Sequence, residues 1–217
     1  MKLDKDSYYI KYWVDSEGSD HARMTHYKDV WSDGFYIDTY CFSQHRISFE
    51  DASWSGVDPD DRHEGKRILK RYYDRWEKRV NNCKTIIEQL VEDNALPYEN
   101  NWSVGDCLYF PLKEIYAKLD AEEMEEEGLG VEDLDEEPYD GPELCLVQIT
   151  KADHEEPEGK MILIDKYWVG VDSQPKPIPY LDFMEQSLRI PQNVYERAKS
   201  FISSVTLEII KEIKQNH

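Results

Sequence analysis

The feature that most constrains this chain is a block of carboxylates between two apolar segments. Residues 120–143 contain 13 Asp and Glu side chains and no Lys or Arg. A cluster this dense repels itself and stays hydrated, so it cannot enter a hydrophobic core. The core must therefore form from the segments on either side. We expect residues 120–143 to be a disordered acidic insertion.

Outside this acidic block the chain has the composition of a folded protein. The block supplies 13 of the net −20 charges at pH 7, so the remaining residues carry only −7. The 15 Tyr, 6 Trp and 6 Phe side chains exceed what a disordered chain contains. Folding at this length typically buries roughly 70% of the unfolded surface, which allows a substantial core.

Cysteine usage and the lack of long apolar runs favour a cytoplasmic protein. No run approaches 18 apolar residues, and the first six residues do not resemble a signal peptide. Cys41, Cys83, Cys107 and Cys145 are widely spaced within apolar segments, which is typical of buried free thiols in a reducing compartment. They lack the paired C-x-x-C spacing of a structural zinc site, so we expect neither a metal nor a cofactor.

The first part of the chain is predicted to form strands. Residues 8–14 are rich in aromatic and β-branched side chains, with alternate positions on one face. Turn signals at Gly18 and Gly34 separate this segment from residues 35–42, and residues 46–49 follow as a short third strand.

A long helix is predicted to follow these strands. Asp61 and Glu64 have the spacing of a capping box, and Pro97 ends the helical pattern. An apolar stripe repeats at steps of three and four residues: Leu69, Tyr73, Trp76, Val80, Cys83, Ile87 and Leu90. We expect the stripe to pack on a sheet, because Tyr73 and Trp76 are bulky for a coiled-coil seam.

The second half of the chain predicts more strands and a C-terminal helix. Strands are expected at residues 107–112, 144–149 and 161–169, with a short helical pattern at 115–119. Residues 175–179 are too rich in proline for regular structure. Asn193 and Glu196 have capping-box spacing, and an apolar helical repeat follows: Val194, Ala198, Phe201, Ile202, Val205, Ile209 and Ile213.

These elements predict an α+β fold, with antiparallel strands packed against one long helix and a C-terminal helix. We expect residues 1–217 to form a single domain, because the long helix needs a sheet to cover its stripe. A subdivision stays open, with residues 1–100 forming a sheet plus the long helix and residues 101–217 a small sheet plus the C-terminal helix.

Two short motifs resemble metal sites but lack the rest of the pattern. Residues 59–66 contain PD and ExK, as in metal-dependent nucleases, but at a helix start and too close together. Residues 133–137 alternate carboxylates like a calcium loop, but Pro138 and Leu144 replace the Gly and Glu that such a loop requires. Helix capping and loose ion condensation explain these motifs better.

Residues 102–112 and 144–149 resemble the core of a family of bacterial immunity proteins. In that family a Gly-Asp turn leads an apolar strand that ends in Pro-Leu, and a second strand follows that carries a Gln or Arg after apolar residues, which corresponds to Gln148 here. The matching positions are Gly105, Asp106, Pro111 and Leu112. Members of that family neutralise toxins of polymorphic toxin systems. The resemblance implies a small curved sheet over residues 102–170 and a binding role, and it transfers no catalytic residue.

The charge distribution predicts a non-enzymatic binding protein. A net charge of −20 argues against direct contact with nucleic acid or an anionic membrane, whereas a basic protein partner fits it. We expect an immunity-protein-like inhibitor that neutralises a basic partner, such as a nuclease toxin, through fast and salt-sensitive association. The partner-binding carboxylates are predicted to be Glu122, Glu123, Glu125, Glu126, Glu127, Glu132, Asp133, Asp135, Glu136 and Glu137.

Other functions stay open at this point. A phage or mobile-element anti-defence protein would mimic the charge of nucleic acid, and it would need carboxylates on a rigid surface. An enzyme would need a site assembled from distant residues, since Cys41 and His45 alone lack an orienting group and an oxyanion site. A structural or regulatory module would use the block as a solubilising loop. The sequence sets neither the partner nor the oligomeric state.

Overall fold

The computed structural model describes residues 8–26, 33–40, 44–51, 66–127, 141–165 and 168–216. The strands in these ranges are β1 (Tyr8–Val14), β2 (Asp20–His26), β3 (Asp33–Tyr40), β4 (Gln44–Asp51), β5 (Lys66–Ile68), β6 (Cys107–Phe110), β7 (Leu144–Lys151), β8 (Glu158–Ile164), β9 (Trp168–Pro177) and β10 (Leu188–Ile190). They form one sheet in the order β10-β6-β7-β8-β9-β4-β3-β2-β1-β5, and every neighbouring pair is antiparallel.

Within the same described ranges, three α-helices and a short 3-10 helix accompany this sheet. They are α1 (Lys70–Glu92), α2 (Leu112–Glu127), the 3-10 helix (Leu181–Gln186) and α3 (Gln192–Asn216). The apolar stripe of α1 is buried at Trp76, Val80, Cys83, Ile87 and Val91, as its spacing predicts. Helices α1 and α3 pack on the same face of the sheet and contact each other.

A row of apolar side chains runs across the sheet beneath these helices. Ala22, Ile37, Ile47 and Val169 are direct neighbours on β2, β3, β4 and β9, and each is fully buried. The row continues to Ile164 on β8 and Leu144 on β7. Strands from both halves of the chain therefore contribute to one hydrophobic cluster.

The opposite face of β6, β7 and β8 is covered by a second cluster. Leu108, Phe110, Cys145 and Val147 alternate with residues of the first cluster, as the pleat of a strand requires. Trp102, the start of α2 and Met184 of the 3-10 helix close this face. These central strands are therefore buried on both sides, which explains their nearly continuous apolar sequences.

The predicted α+β class is confirmed, with an antiparallel sheet, a long helix and a C-terminal helix. The predicted turns at Gly18 and Gly105 are also present, and both glycines have positive φ values, of 84° and 97°. Asp15 accepts backbone hydrogen bonds from Glu17 and Ser19 around the first turn. Asp106 accepts one from the Ser103 amide at 2.7 Å and so fixes the entry to β6.

Two helix predictions are wrong at their boundaries. The long helix does not run on from a cap near Asp61, because residues 66–68 form strand β5 against β1, and Leu69 precedes the helix. Asp61 and Glu64 lie outside the described residues. Asn193 is not a cap either, because α3 begins at Gln192 and the amides of Val194 and Tyr195 donate to Pro191.

The acidic block differs from the disordered insertion that we expected over residues 120–143. Residues 120–127 form the last two turns of α2, which extends the short helical pattern predicted at 115–119. Glu and Ala are good helix formers, so the charge does not prevent a helix that the preceding apolar turns have already nucleated. Residues 128–140 lie outside the described part of the chain.

Two predictions about strands were wrong, and one strand was not predicted. Residues 161–169 do not form one strand, because β8 ends at Ile164 and β9 begins at Trp168. The proline-rich segment joins β9 as far as Pro177 because a bulge opposite residues 159–161 tolerates Pro175. Strand β2 was not predicted, since Asp20–His26 is largely polar, and pairing with β1 and β3 on its two sides holds it in the sheet.

Candidate functional site: the acidic helix and its base

Helix α2 begins directly after a buried strand. Strand β6 is fully buried, and Pro111 then turns the chain so that its carbonyl accepts hydrogen bonds from Glu114 and Ile115, both at 3.0 Å. Leu112 is part of the second cluster, and Ile115 one turn later is also buried. The Tyr116 ring packs edge-on against Phe183, with ring centroids 5.3 Å apart. The first turns of the helix are therefore anchored to the sheet.

The two ends of the segment that contains the acidic block are clamped together. The Lys113 amide donates to the Glu143 carbonyl at 3.0 Å, and the Lys113 ammonium lies 3.4 Å from Glu143 Oε1. Lys113 is in the first turn of α2, and Glu143 immediately precedes β7. The two ends of the segment that contains the acidic block therefore lie next to each other. The number of residues in the block can change without altering the arrangement of the strands.

The last turns of α2 carry a high density of negative charge. Asp120 and Glu122 are exposed, and the last nearby cation, Lys118, lies 3.6 Å from Glu122. Glu122 and Glu126, and likewise Glu123 and Glu127, have like charges four residues apart, which destabilises a helix. No basic residue lies in the last turn, although the negative end of the helix dipole favours one. A cationic surface would relieve both effects.

A polar cluster at the base of the insertion joins α1 to this segment. Lys84 is buried and donates to the Asp165 carbonyl at 2.6 Å. Burial lowers the pKa of Lys84, while Asp165, Glu143 and Glu88 counteract part of that effect. Burial also raises the pKa of Glu88, and the nearby Glu143 raises it further. The exit of the acidic block is thus electrostatically coupled to the long helix.

The predicted partner-binding residues divide into two groups. Glu122, Glu123, Glu125, Glu126 and Glu127 lie together on the last turns of α2. Glu132, Asp133, Asp135, Glu136 and Glu137 lie outside the described residues, as does the calcium-like run of residues 133–137. The structure therefore brings the first group together on one helical segment.

Sequence patterns did not predict the polar cluster at the base of the insertion, which consists of Lys84, Glu88, Lys113 and Glu143. Lys84 and Glu88 are one helical turn apart, beside the apolar stripe, and that spacing gives no reason to connect them with residues near 113 and 143. Only the packing of α1 over the end of β8 brings these four positions into electrostatic contact.

The described ranges offer little support for a metal site or for a nucleophilic cysteine. No group of three His, Cys, Asp or Glu side chains there could hold a metal ion. Burial raises the pKa of both Cys83 and Cys107 to about 12, so these thiols are poor nucleophiles. Cys41 lies outside the described residues, and His45 Nδ1 lies 3.2 Å from the Ser203 hydroxyl. None of the helices in these ranges is long and apolar enough to cross a membrane.

An open groove also lies along the first half of α3. Its volume is about 500 Å³, and its lining includes Asn193, Glu196, Arg197, Ser200 and Phe201. Phe201 is exposed there, contrary to its predicted place in the apolar stripe of α3.

Comparison with known proteins identifies no relative of this chain. No protein-family model matches it, and neither the curated proteins nor the solved structures include a match. The fold and the charge distribution are therefore the basis for the function proposed below.

Proposed function

We propose that this chain is a non-enzymatic, cytoplasmic binding protein that inhibits a basic protein partner, in the manner of an immunity protein. The acidic end of α2, residues 120–127, would contact a basic surface such as the nucleic-acid groove of a nuclease toxin. The single observation that carries this proposal is the division of α2 into a first half anchored on the sheet through Leu112 and Tyr116, and a second half that holds six carboxylates and begins with the exposed residues Asp120 and Glu122. The resemblance of residues 102–112 to immunity proteins agrees with it.

The anchoring of α2 favours binding because it reduces the entropy lost on association. A free acidic peptide would have to become helical and oriented when it bound, whereas residues 112–116 already fix the direction of this helix. A concentrated negative field also steers a basic partner and raises the association rate, and added salt weakens this steering. A bound cationic surface would then stabilise the like-charged turns of α2.

A specific observation also favours mimicry of nucleic-acid charge as the means of inhibition. Residues 120–127 hold six carboxylates in eight helical residues. At a rise of about 1.5 Å per residue, this is one charge per ~2 Å of helix axis. Duplex DNA carries one charge per ~1.7 Å, so a groove that binds DNA would meet a similar linear charge density. This second proposal adds that the partner's nucleic acid and α2 compete for one site.

The experiment is a capture assay with three forms of the purified protein. The first is the unchanged chain, and the second carries five Glu→Gln changes at Glu122, Glu123, Glu125, Glu126 and Glu127. The third is a charge-matched control with Glu→Gln changes at the exposed positions Glu17, Glu155, Glu156, Glu185 and Glu208. Each form is immobilised, incubated with lysate of the source cell, and washed at increasing salt.

The proposal predicts that the unchanged chain and the control capture the same basic protein, and that the α2 variant does not. Activity of the captured protein should then fall when the unchanged chain is added. If duplex DNA displaces this chain from the captured protein, the result supports the mimicry proposal. Inhibition without such competition would support only the first proposal, that the chain inhibits a basic partner. Equal capture by all three forms would refute a binding role for the acidic end of α2.

A further inference from the structure

A strongly basic surface lies at the end of α1 that is distant from the acidic helix. Seven of the 26 Lys and Arg residues fall within residues 66–79, a range that contains only two acidic residues, Asp74 and Glu77. We call these seven side chains the basic surface: Lys66, Arg67, Lys70, Arg71, Arg75, Lys78 and Arg79. All but Arg79 are exposed. In a chain of net charge −20 this local excess of positive charge needs an explanation.

The stability of α1 does not explain the basic surface. Helices favour acidic side chains in the first turn and basic side chains in the last turn, because of the helix dipole. Helix α1 has no acidic residue in its first turn and no basic residue in its last. Its first turn also lacks a side-chain cap, since Leu69 precedes it. The charges along α1 thus oppose the order that would stabilise the helix by itself.

Several cations of the basic surface are held in place while they stay accessible. The guanidinium carbons of Arg71 and Arg75 lie 5.2 and 5.3 Å from the centre of the Tyr72 ring. Arg75 also pairs with Glu212 of α3, yet its side chain is 48% exposed. Lys70 pairs with Asp74 and is 66% exposed. Binding of an anion here therefore costs less side-chain conformational entropy.

The basic surface and the acidic helix lie at opposite ends of the sheet. The first turns of α1 contact β1, where the Tyr73 ring lies 4.8 Å from Tyr8. Helix α2 departs between β6 and β7. Six strand intervals separate β7 from β1, which corresponds to ~29 Å. The basic surface and the start of α2 are thus well separated across the sheet.

We propose that the basic surface binds the acidic end of α2 of a second copy of this chain, so that copies associate head to tail. The contact joins two different surfaces, so it continues into a chain of subunits or closes as a ring. A second copy fits this surface because its α2 presents the complementary charge, with six carboxylates within residues 120–127. Self-association would occupy the same carboxylates that the proposed external partner needs.

Salt should act on this association in a characteristic way. At about 0.1 M ionic strength the Debye length is about 10 Å, so the net repulsion between whole molecules is screened while charges in direct contact still attract. At about 1 M the Debye length is about 3 Å, and the contact itself is weakened. Association is therefore expected at the lower of these concentrations and is lost at the higher.

The experiment measures the mass of the purified full chain by light scattering and sedimentation at both salt concentrations. A basic-surface variant carries Lys70→Gln, Arg71→Gln and Lys78→Gln, which leaves the two arginines that contact Glu212 unchanged. The acidic variant is the five-Gln form of α2 described above. A matched control carries Lys151→Gln, Lys176→Gln and Lys199→Gln, which removes the same charge from other surfaces. Circular dichroism confirms that each form is folded.

The proposal predicts at least a twofold rise above the monomer mass of 25.7 kDa at about 0.1 M for the unchanged chain and the control. Each variant alone should be monomeric. An equal mixture of the two variants should form a complex of one copy of each, because one intact basic surface and one intact acidic helix remain between them. A monomeric mixture, association of either variant alone, or an unchanged chain that stays monomeric would overturn the proposal.

Two further outcomes would replace the second copy with another occupant. If the unchanged chain stays monomeric but becomes more compact at lower salt, its own acidic block contacts the basic surface. If duplex DNA binds the unchanged chain and not the basic-surface variant, the occupant is a nucleic acid. Only the purified chain is used, so the result does not depend on whether the external partner proposed above exists.

Discussion

At the scale of single residues, Glu212 joins the two long helices through contacts with three residues of α1, Arg75, Trp76 and Arg79. Its carboxylate accepts a hydrogen bond from Trp76 Nε1 at 2.7 Å, and Arg79 lies 2.9 Å away. Burial raises the pKa of Glu212, but the Trp76 hydrogen bond and the charges of Arg79 and Arg75 outweigh it, so the net pKa is lowered. The carboxylate therefore stabilises the fold above its unfolded pKa, and this stability is lost as the pH falls through the folded value.

Glu212→Gln is expected to lower the free energy of unfolding by about 1–3 kcal/mol at neutral pH, because two arginines would face a neutral amide. The loss should shrink in acid, because the native carboxylate stabilises the fold less as the pH falls below the pKa of the unfolded chain. Urea unfolding at about pH 7 and about pH 3 measures both values. Glu208→Gln, on the exposed face of α3, is the matched control. An equal loss at both pH values would contradict the electrostatic role of Glu212.

Gly159 is a second residue whose identity is fixed by its surroundings. A Cβ atom there would lie 2.3 Å from Val147 Cγ1 and 3.0 Å from the Gln148 carbonyl. Gly159→Ala should therefore destabilise the protein by about 1–3 kcal/mol, since β7 and β8 would have to separate. Chemical denaturation measures the change, with Lys160→Ala on the same strand as the control. A loss of stability no larger than that of the control would show that the strands adapt without strain.

At the scale of elements, the acidic insertion should be separable from the fold. The contacts of Lys113 with Glu143 close its base, and the apolar anchors of α2 end at Tyr116. Replacing residues 120–141 with a short Gly/Ser linker should therefore change the free energy of unfolding by less than about 1 kcal/mol, because loop-closure entropy depends weakly on length. Thermal and urea unfolding test this. A loss of several kcal/mol would mean that the insertion packs on the fold.

The elements also differ in how far the sequence could predict them. Strand β1 and the stripe of α1 followed from local patterns, because their buried positions repeat at the period of one structure. Strands β2 and β5 did not, since backbone pairing holds them in the sheet: β2 pairs with β1 and β3, and β5 pairs with β1. At the candidate site, amino-acid composition alone was enough to identify the acidic residues of the last turns of α2. The base formed by Lys84, Glu88 and Glu143 was not, because tertiary packing alone brings these residues together.

At the scale of the whole molecule, the pairing of β4 with β9 connects the two halves of the chain. Ile47 lies between Ile37 and Val169 in the buried row and is fully inaccessible to solvent. A substitution at Ile47 therefore alters packing against both the N-terminal strands and the strands that anchor α2. If residues 1–217 behave as the single domain that we predicted, its energetic effect should spread to both halves equally.

Ile47→Ala is expected to cost about 2–5 kcal/mol, because a fully buried side chain leaves a cavity. Native-state hydrogen exchange should then show the same loss of protection in β1–β3 as in β6–β8, since one cooperative unit opens as a whole. Ile86→Ala is the control, as Ile86 is 46% exposed on α1 and its truncation should leave both regions nearly unchanged. A loss confined to β1–β4 would divide the chain into two units. In that case a partner bound to α2 would stabilise only the second half.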